Sequence, residues 1–230
     1  MAGGWMPEKQ ISQEEKFLPN ETYLSSMQKH IDVSVKASYH TLNELSDDTK
    51  NIWLVCHGQG QLAEYFIKKF EILDAKENFI IAPQGLSKYY LNGFTGRVGA
   101  SWMTKEDRET EIINQQQLLK AIWETEVGAV TNKKVILFGF SQGVATISRF
   151  VAHSKIPFDK MVLWAGGFAH DVNSEHFTHL SGNETVEYFT AEDDPFYQAD
   201  MVEKQKGLVE SAMGINPKVT FYEGGHKVIP

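Results

Sequence analysis

The sequence predicts an α/β fold with a mostly parallel sheet and helices on both faces. Two observations predict it. Short apolar, β-branched runs alternate along the chain with segments whose apolar residues recur three and four apart. Groups able to do chemistry stand just after those runs: His57-Gly58, Ser141, Asp194 and His226. In open α/β sheets, sites form where the C-terminal ends of the strands meet the following loops.

Taken in order, residues 1–28 are polar and weakly patterned, an N-terminal arm to a single domain spanning 1–230. His30 to Ala37 alternates polar and apolar, as a half-exposed edge strand does. Asn51 to Cys56 is a continuous apolar strand, and Leu62 to Phe70 follows at helical spacing. Asn78 to Ala82 is a second buried strand, stopped by Pro83. Gln84 to Met103 reads as a long loop rich in Gly, Tyr and Phe, of the kind that often lines sites. Thr104 to Val127 reads as a helix, with Thr104 and Asp107 at capping-box spacing and Gly128 as its stop. Strands are expected again over Phe158–Ala165, Thr185–Phe189 and Lys218–Tyr222. A short helix is expected over Asp171–His179 and a longer one over Ala199–Met213, closed by Gly214.

The most informative stretch is Gly139-Phe140-Ser141-Gln142-Gly143. An apolar run precedes it and a helical pattern follows, so G-x-S-x-G sits on a strand–turn–helix, the nucleophile elbow of α/β-hydrolases. Glycines are required because a serine at so tight a turn crowds its neighbours against strand and helix. The hydroxyl is thereby exposed beside a helix N-terminus, which favours developing negative charge.

A serine hydroxyl needs a base, and the base an orienting carboxylate. Of the histidines after Ser141, His153 lies down the elbow helix and His170, His176 and His179 share one polar segment. Only His226 follows a terminal strand and a Gly-Gly turn. Asp193 and Asp194 supply adjacent carboxylates, and Asp194 before Pro195 also has the pattern of a helix cap. Two backbone N–H groups are needed for the oxyanion. Gln142, directly after the nucleophile, is one, and Gln59 in His57-Gly58-Gln59-Gly60 is the other. Tyr89, Tyr90, Phe94 and Trp102 are candidates to wall a substrate pocket, and Arg97 to meet an anionic one. His176 and His179 have metal-ligand spacing without an evident third ligand, so no metal site is expected. No phosphate-binding loop or dinucleotide fingerprint occurs, so no cofactor is expected.

The chain of 230 residues carries a net charge of −8, which argues against a nucleic-acid backbone or an anionic membrane as partner. No apolar run is long enough for membrane insertion. The single cysteine, Cys56, points to a reducing, cytoplasmic setting.

The combination G-F-S-Q-G, with H-G-Q-G upstream, D-D-P downstream and G-G-H near the end, resembles the phospholipase/carboxylesterase family of α/β-hydrolases, which includes acyl-protein thioesterases and small bacterial serine esterases. The resemblance covers about residues 30 to 230. It implies a cofactor-free α/β-hydrolase fold with little or no lid, cleaving carboxylic esters and sometimes thioesters; the first expectation here is cleavage of esters of small to medium acyl groups through an acyl-enzyme. It implies Ser141 as nucleophile, Asp194 as acid, His226 as base, and Gln59 and Gln142 as oxyanion donors. A small-molecule ester is the expected partner. Thioester or peptide cleavage, or a non-catalytic binding role, stay open at this stage. Thr190-Ala191 stand where the family carries a histidine and a glycine, and the chain ends at Pro230 where members continue into a last helix.

Overall fold

The computed structural model describes residues 26–128 and 132–229. The arm expected over residues 1–28 lies, up to residue 25, outside the described residues. All strands and helices below belong to the compact unit Lys36–Pro230, which is described by itself.

A seven-stranded sheet forms the frame. Its strands are β1 (Tyr39–Leu42), β2 (Asn51–Cys56), β3 (Asn78–Pro83), β6 (Lys134–Phe140), β7 (Lys160–Trp164), β8 (Thr185–Thr190) and β9 (Lys218–Phe221). The order is β1-β3-β2-β6-β7-β8-β9, with only β1 antiparallel. A two-stranded hairpin, β4 (Ser87–Tyr90) and β5 (Val98–Ser101), stands apart from it. The helices are α1 (Ala63–Phe66, continued as a 3₁₀ turn over Ile67–Phe70), α2 (Arg108–Glu126), α3 (Gln142–Ser154) and α4 (Met201–Met213).

The two faces of the sheet bury separate cores because strand side chains alternate. Ile52, Leu54 and Cys56 of β2 and Val135 and Leu137 of β6 join Leu119, Ile147 and Phe150 from α2 and α3. Val55, Phe138 and Phe140 point to the other side and pack with Phe66 and Phe70. Cys56 is fully buried, and burial pushes its thiol pKa up, which keeps it protonated and inert.

Three expectations are corrected. The edge strand is Tyr39–Leu42, not His30–Ala37; Ile31, Val33 and Val35 are exposed instead of facing a core. Alternation alone marks a strand only where a sheet edge receives it, and β3 receives residues 39 to 42. The segment Gln84–Met103 is not a bare loop but contains the β4–β5 hairpin. The helix expected from Thr104 starts at Arg108: the Thr104 hydroxyl accepts the Glu106 N–H (3.2 Å) and donates to Glu111 Oε2 (3.1 Å), but Asp107, at φ 45°, is left-handed and interrupts the helical run before Arg108. Its end is as expected: Gly128, at φ 60°, gives its N–H to Trp123 O (3.0 Å).

Candidate active site

Strand register assembles the site. The order reverses between β2 and β6, and these neighbours pair Cys56 with Gly139. Two residues further on, Gly58 therefore stands beside Ser141. A Cβ on Gly58 would lie 3.2 Å from Ser141 Cβ and 2.8 Å from Phe140 Cδ1, so only glycine fits. This is the topological switch point, where open α/β sheets form their crevice.

The elbow has the strain its motif implies. Ser141 adopts φ 52° and ψ −119°, a conformation costly for a residue with a Cβ. Its N–H donates to Trp164 O at 2.8 Å. Gly143 approaches β2 so closely that a Cβ would be 2.2 Å from Cys56 O. Gly166, after β7, would likewise put a Cβ 2.2 Å from Ser141 O.

On the other side, β8 and β9 pair Thr190 with Phe221, which sets the loop after β8 beside the loop after β9. His226 lies in the second loop. Its Nε2 is 2.9 Å from Ser141 Oγ and its Nδ1 is 2.6 Å from Asp194 Oδ2. A carboxylate only accepts, so Nδ1 carries the hydrogen and Nε2 turns its lone pair to the serine hydroxyl. The Asp194 side chain is 5% exposed and that of His226 22%.

Asp194 Oδ1 accepts from Phe196 N at 2.8 Å, so this carboxylate shapes its own turn as well as holding the ring. Pro195 does not open a helix; α4 begins at Met201. The His226 loop is held at several points. Asp193 Oδ2 accepts from Gly224 N (3.1 Å), Tyr222 Oη donates to Gly225 O (3.0 Å) and Trp164 Nε1 donates to Lys227 O (3.1 Å). Val228 is buried in the second core.

The candidate oxyanion turn is equally fixed. Gly58 N donates to Gln61 Oε1 (2.9 Å) and Gly60 N to Ala100 O (2.7 Å), while among the described residues nothing accepts the Gln59 N–H between them. Beneath the turn, His57 is fully buried. Its Nδ1–H donates to Gly58 O (2.8 Å), its Nε2 accepts from Gly85 N (3.1 Å), and its ring stacks on Trp102 with centroids 4.8 Å apart. Burial lowers its pKa to about 4, outweighing the opposing pull of the Gly58 carbonyl.

The four aromatic candidates separate. Tyr89 and Tyr90 are partly exposed on β4, and the Tyr89 hydroxyl lies 3.7 Å from where a Gly60 Cβ would be, beside the oxyanion turn. Phe94 is 94% exposed at the hairpin tip. Trp102 is corrected: it is 1% exposed, donates Nε1–H to His57 O (2.7 Å) and presents no face to a substrate. Its indole buries well because its one polar atom finds a carbonyl.

Sequence reasoning missed three contributors. The Gln142 side chain clasps the returning hairpin strand: its Oε1 accepts from Trp102 N (2.9 Å) and its Nε2 donates to Met103 O (2.7 Å). Asp193 fastens the histidine loop. Phe196, 66% exposed, packs edge-on against the His226 ring at 4.8 Å. Gln142, as the polar residue of the elbow motif, and Asp193, as the first aspartate of D-D-P, carried a signal, though not for these roles; Phe196 carried none. His176 accepts the Asn173 N–H in a small capping box, and among the described residues no group of three side chains is placed to hold a metal ion. No helix among them is long and apolar enough to cross a membrane.

The fold is that of an α/β-hydrolase, and the site contains the Ser–His–carboxylate arrangement that this fold carries above its elbow. Solved structures with the same architecture include an acyl-protein thioesterase 2 from Zea mays, 14% identical, matched over 85% of this chain and 94% of that one with a TM-score of 0.63. A carboxylesterase from Bacillus cereus is 18% identical over 84% and 88% of the two chains, TM-score 0.60. A phospholipase/carboxylesterase from Dyadobacter fermentans is 16% identical over 86% and 93%, TM-score 0.58. These are the kinds of protein the sequence motifs resemble. No family model and no curated protein sequence matches the chain.

Proposed function

We propose that this chain is a serine hydrolase that cleaves carboxylic esters of small to medium acyl groups. The observation that carries the reading is the hydrogen-bonded line Ser141 Oγ–His226 Nε2 (2.9 Å) and His226 Nδ1–Asp194 Oδ2 (2.6 Å). In this reading Ser141 Oγ attacks the ester carbonyl as its proton passes to His226 Nε2. Asp194 holds the ring and stabilises the imidazolium. The oxyanion receives the N–H groups of Gln142 and Gln59. His226 returns the proton to the leaving alcohol, leaving an acyl group on Ser141. Water, deprotonated by the same ring, then releases the acid.

The solved relatives support this reading, since esterases and a thioesterase share the fold. A cytoplasmic setting fits a lone thiol that is fully buried. The test is labelling by a fluorophosphonate probe, followed by a substrate panel. Covalent modification of Ser141 with hydrolysis of 4-nitrophenyl butyrate is expected. Thioester and peptide substrates in the same panel separate the bond types. A folded protein that neither reacts with the probe nor turns over any ester has a binding role instead.

A further inference from the structure

Beside the oxyanion turn lies an open cleft of about 640 Å³. Gly60, Leu62, Tyr65, Phe66 and Lys69 line it together with Arg97 of the hairpin. Gly60 stands two positions after Gly58, so the near end of the cleft is within roughly 7 Å of the residue beside Ser141. The hairpin is fixed in place here: Gly60 N and Ala100 O bond at 2.7 Å, and Gly99 has no space for a Cβ against Gly60.

The charges of the cleft run against those of the molecule. The chain carries 30 acidic and 22 basic residues, yet among the described residues the charged side chains in the lining are Lys69 and Arg97 alone. Among the described residues, Arg97 has no side-chain hydrogen bond or ion pair, and Lys69 reaches only the Val228 carbonyl, at 3.4 Å. Lys68 stands next to the cleft, 5.4 Å from the Tyr65 ring centroid. An apolar wall of Leu62, Tyr65 and Phe66 with two cations and no carboxylate suits a short hydrocarbon ending in an anion.

We propose that this cleft is an anion subsite, and that the preferred substrate is an ester bearing a carboxylate or phosphate a few bonds from the scissile carbonyl, held by Arg97 with Lys69. This rests on the hydrolase reading above, and deepens it to a substrate class. Arg97 supplies the planar fork that pairs with oxyacids, and Lys69 a second positive charge.

The test compares matched esters: 4-nitrophenyl hydrogen glutarate against 4-nitrophenyl valerate, and the butyrate of 2-hydroxyethyl phosphate against n-butyl butyrate. At low salt, the charged member of at least one pair should have a kcat/KM about tenfold the higher, with the pair that shows it naming the anion. Arg97→Gln should bring that ratio close to one, Arg97→Lys should keep most of it, and raising ionic strength should shrink it. Calorimetry of Ser141→Ala with free glutarate and with 2-hydroxyethyl phosphate gives a readout independent of turnover. Binding that Arg97→Gln removes supports the subsite even if no ester is cleaved, which would count against the hydrolase reading alone. A charged-to-neutral ratio at or below one in both pairs, or a ratio unmoved by Arg97→Gln, overturns the subsite while leaving the hydrolase reading intact.

Discussion

Asp193 and Asp194 are adjacent in sequence and grip the same loop at different points. Asp194 Oδ2 takes the His226 ring at 2.6 Å; Asp193 Oδ2 takes the Gly224 backbone N–H at 3.1 Å. One carboxylate sets the ring and the other sets the turn that delivers it. Substitutions therefore have unlike effects. Asp194→Asn removes the charge beside the imidazolium and is expected to lower kcat by about 10⁴, as the same change does in a Ser-His-Asp protease. Asp193→Asn keeps an oxygen for the Gly224 N–H and should retain most activity, whereas Asp193→Ala should lose more. Steady-state kinetics on folded variants check this; the reverse order would move the acid to Asp193.

Ser141→Ala should leave the fold intact and abolish turnover. The methyl fills the space of the serine Cβ, while the hydroxyl proposed as nucleophile is gone, a loss that costs about 10⁶ in kcat where triad members act as a unit. Circular dichroism and ester hydrolysis are the measurements. Retention of more than about a hundredth of the wild-type rate is incompatible with Ser141 as nucleophile.

Gln142→Ala keeps the backbone N–H proposed to meet the oxyanion but loses the side-chain clasp on Trp102 N and Met103 O. Leaving such part-buried partners unpaired costs about 1–3 kcal/mol. A lower urea midpoint is expected, together with a fall in kcat, because Trp102 stacks on His57, under the turn that carries the proposed second donor, Gln59. Unchanged stability would mean that the clasp contributes nothing.

His57 gives stability a pH dependence. In the unfolded chain it titrates near 6.5, and in the fold burial lowers this to about 4. Between those values the unfolded state binds a proton that the native state refuses. Stability attributable to His57 is therefore full above about pH 6.5 and falls as pH drops towards 4, by up to about 3 kcal/mol. Urea unfolding at pH 7 and pH 4.5 should show a shallower difference for His57→Gln than for the wild type. Equal differences in the two proteins would exclude this origin.

Much of the candidate site's geometry was legible in the sequence because its constraints are local. A strand, a sharp turn and a helix around Ser141 need glycines on both sides, and that need is written in five consecutive residues. The buried strands Asn51–Cys56 and Asn78–Pro83 were legible because a parallel strand covered on both faces must be continuously apolar. The tertiary structure decided what depends on register and on contacts between distant segments. Pairing of Cys56 with Gly139 and of Thr190 with Phe221 places His57–Gly60 and His226 around the serine. Division of work between Asp193 and Asp194, burial of Trp102 and the Gln142 clasp arise from contacts across the fold, which no periodicity records. The hairpin over residues 87–101 was hidden for a related reason: its strands are four residues each and most of β4 is exposed, so burial left little pattern in them, and its place is set by bonds to the Gly60 turn.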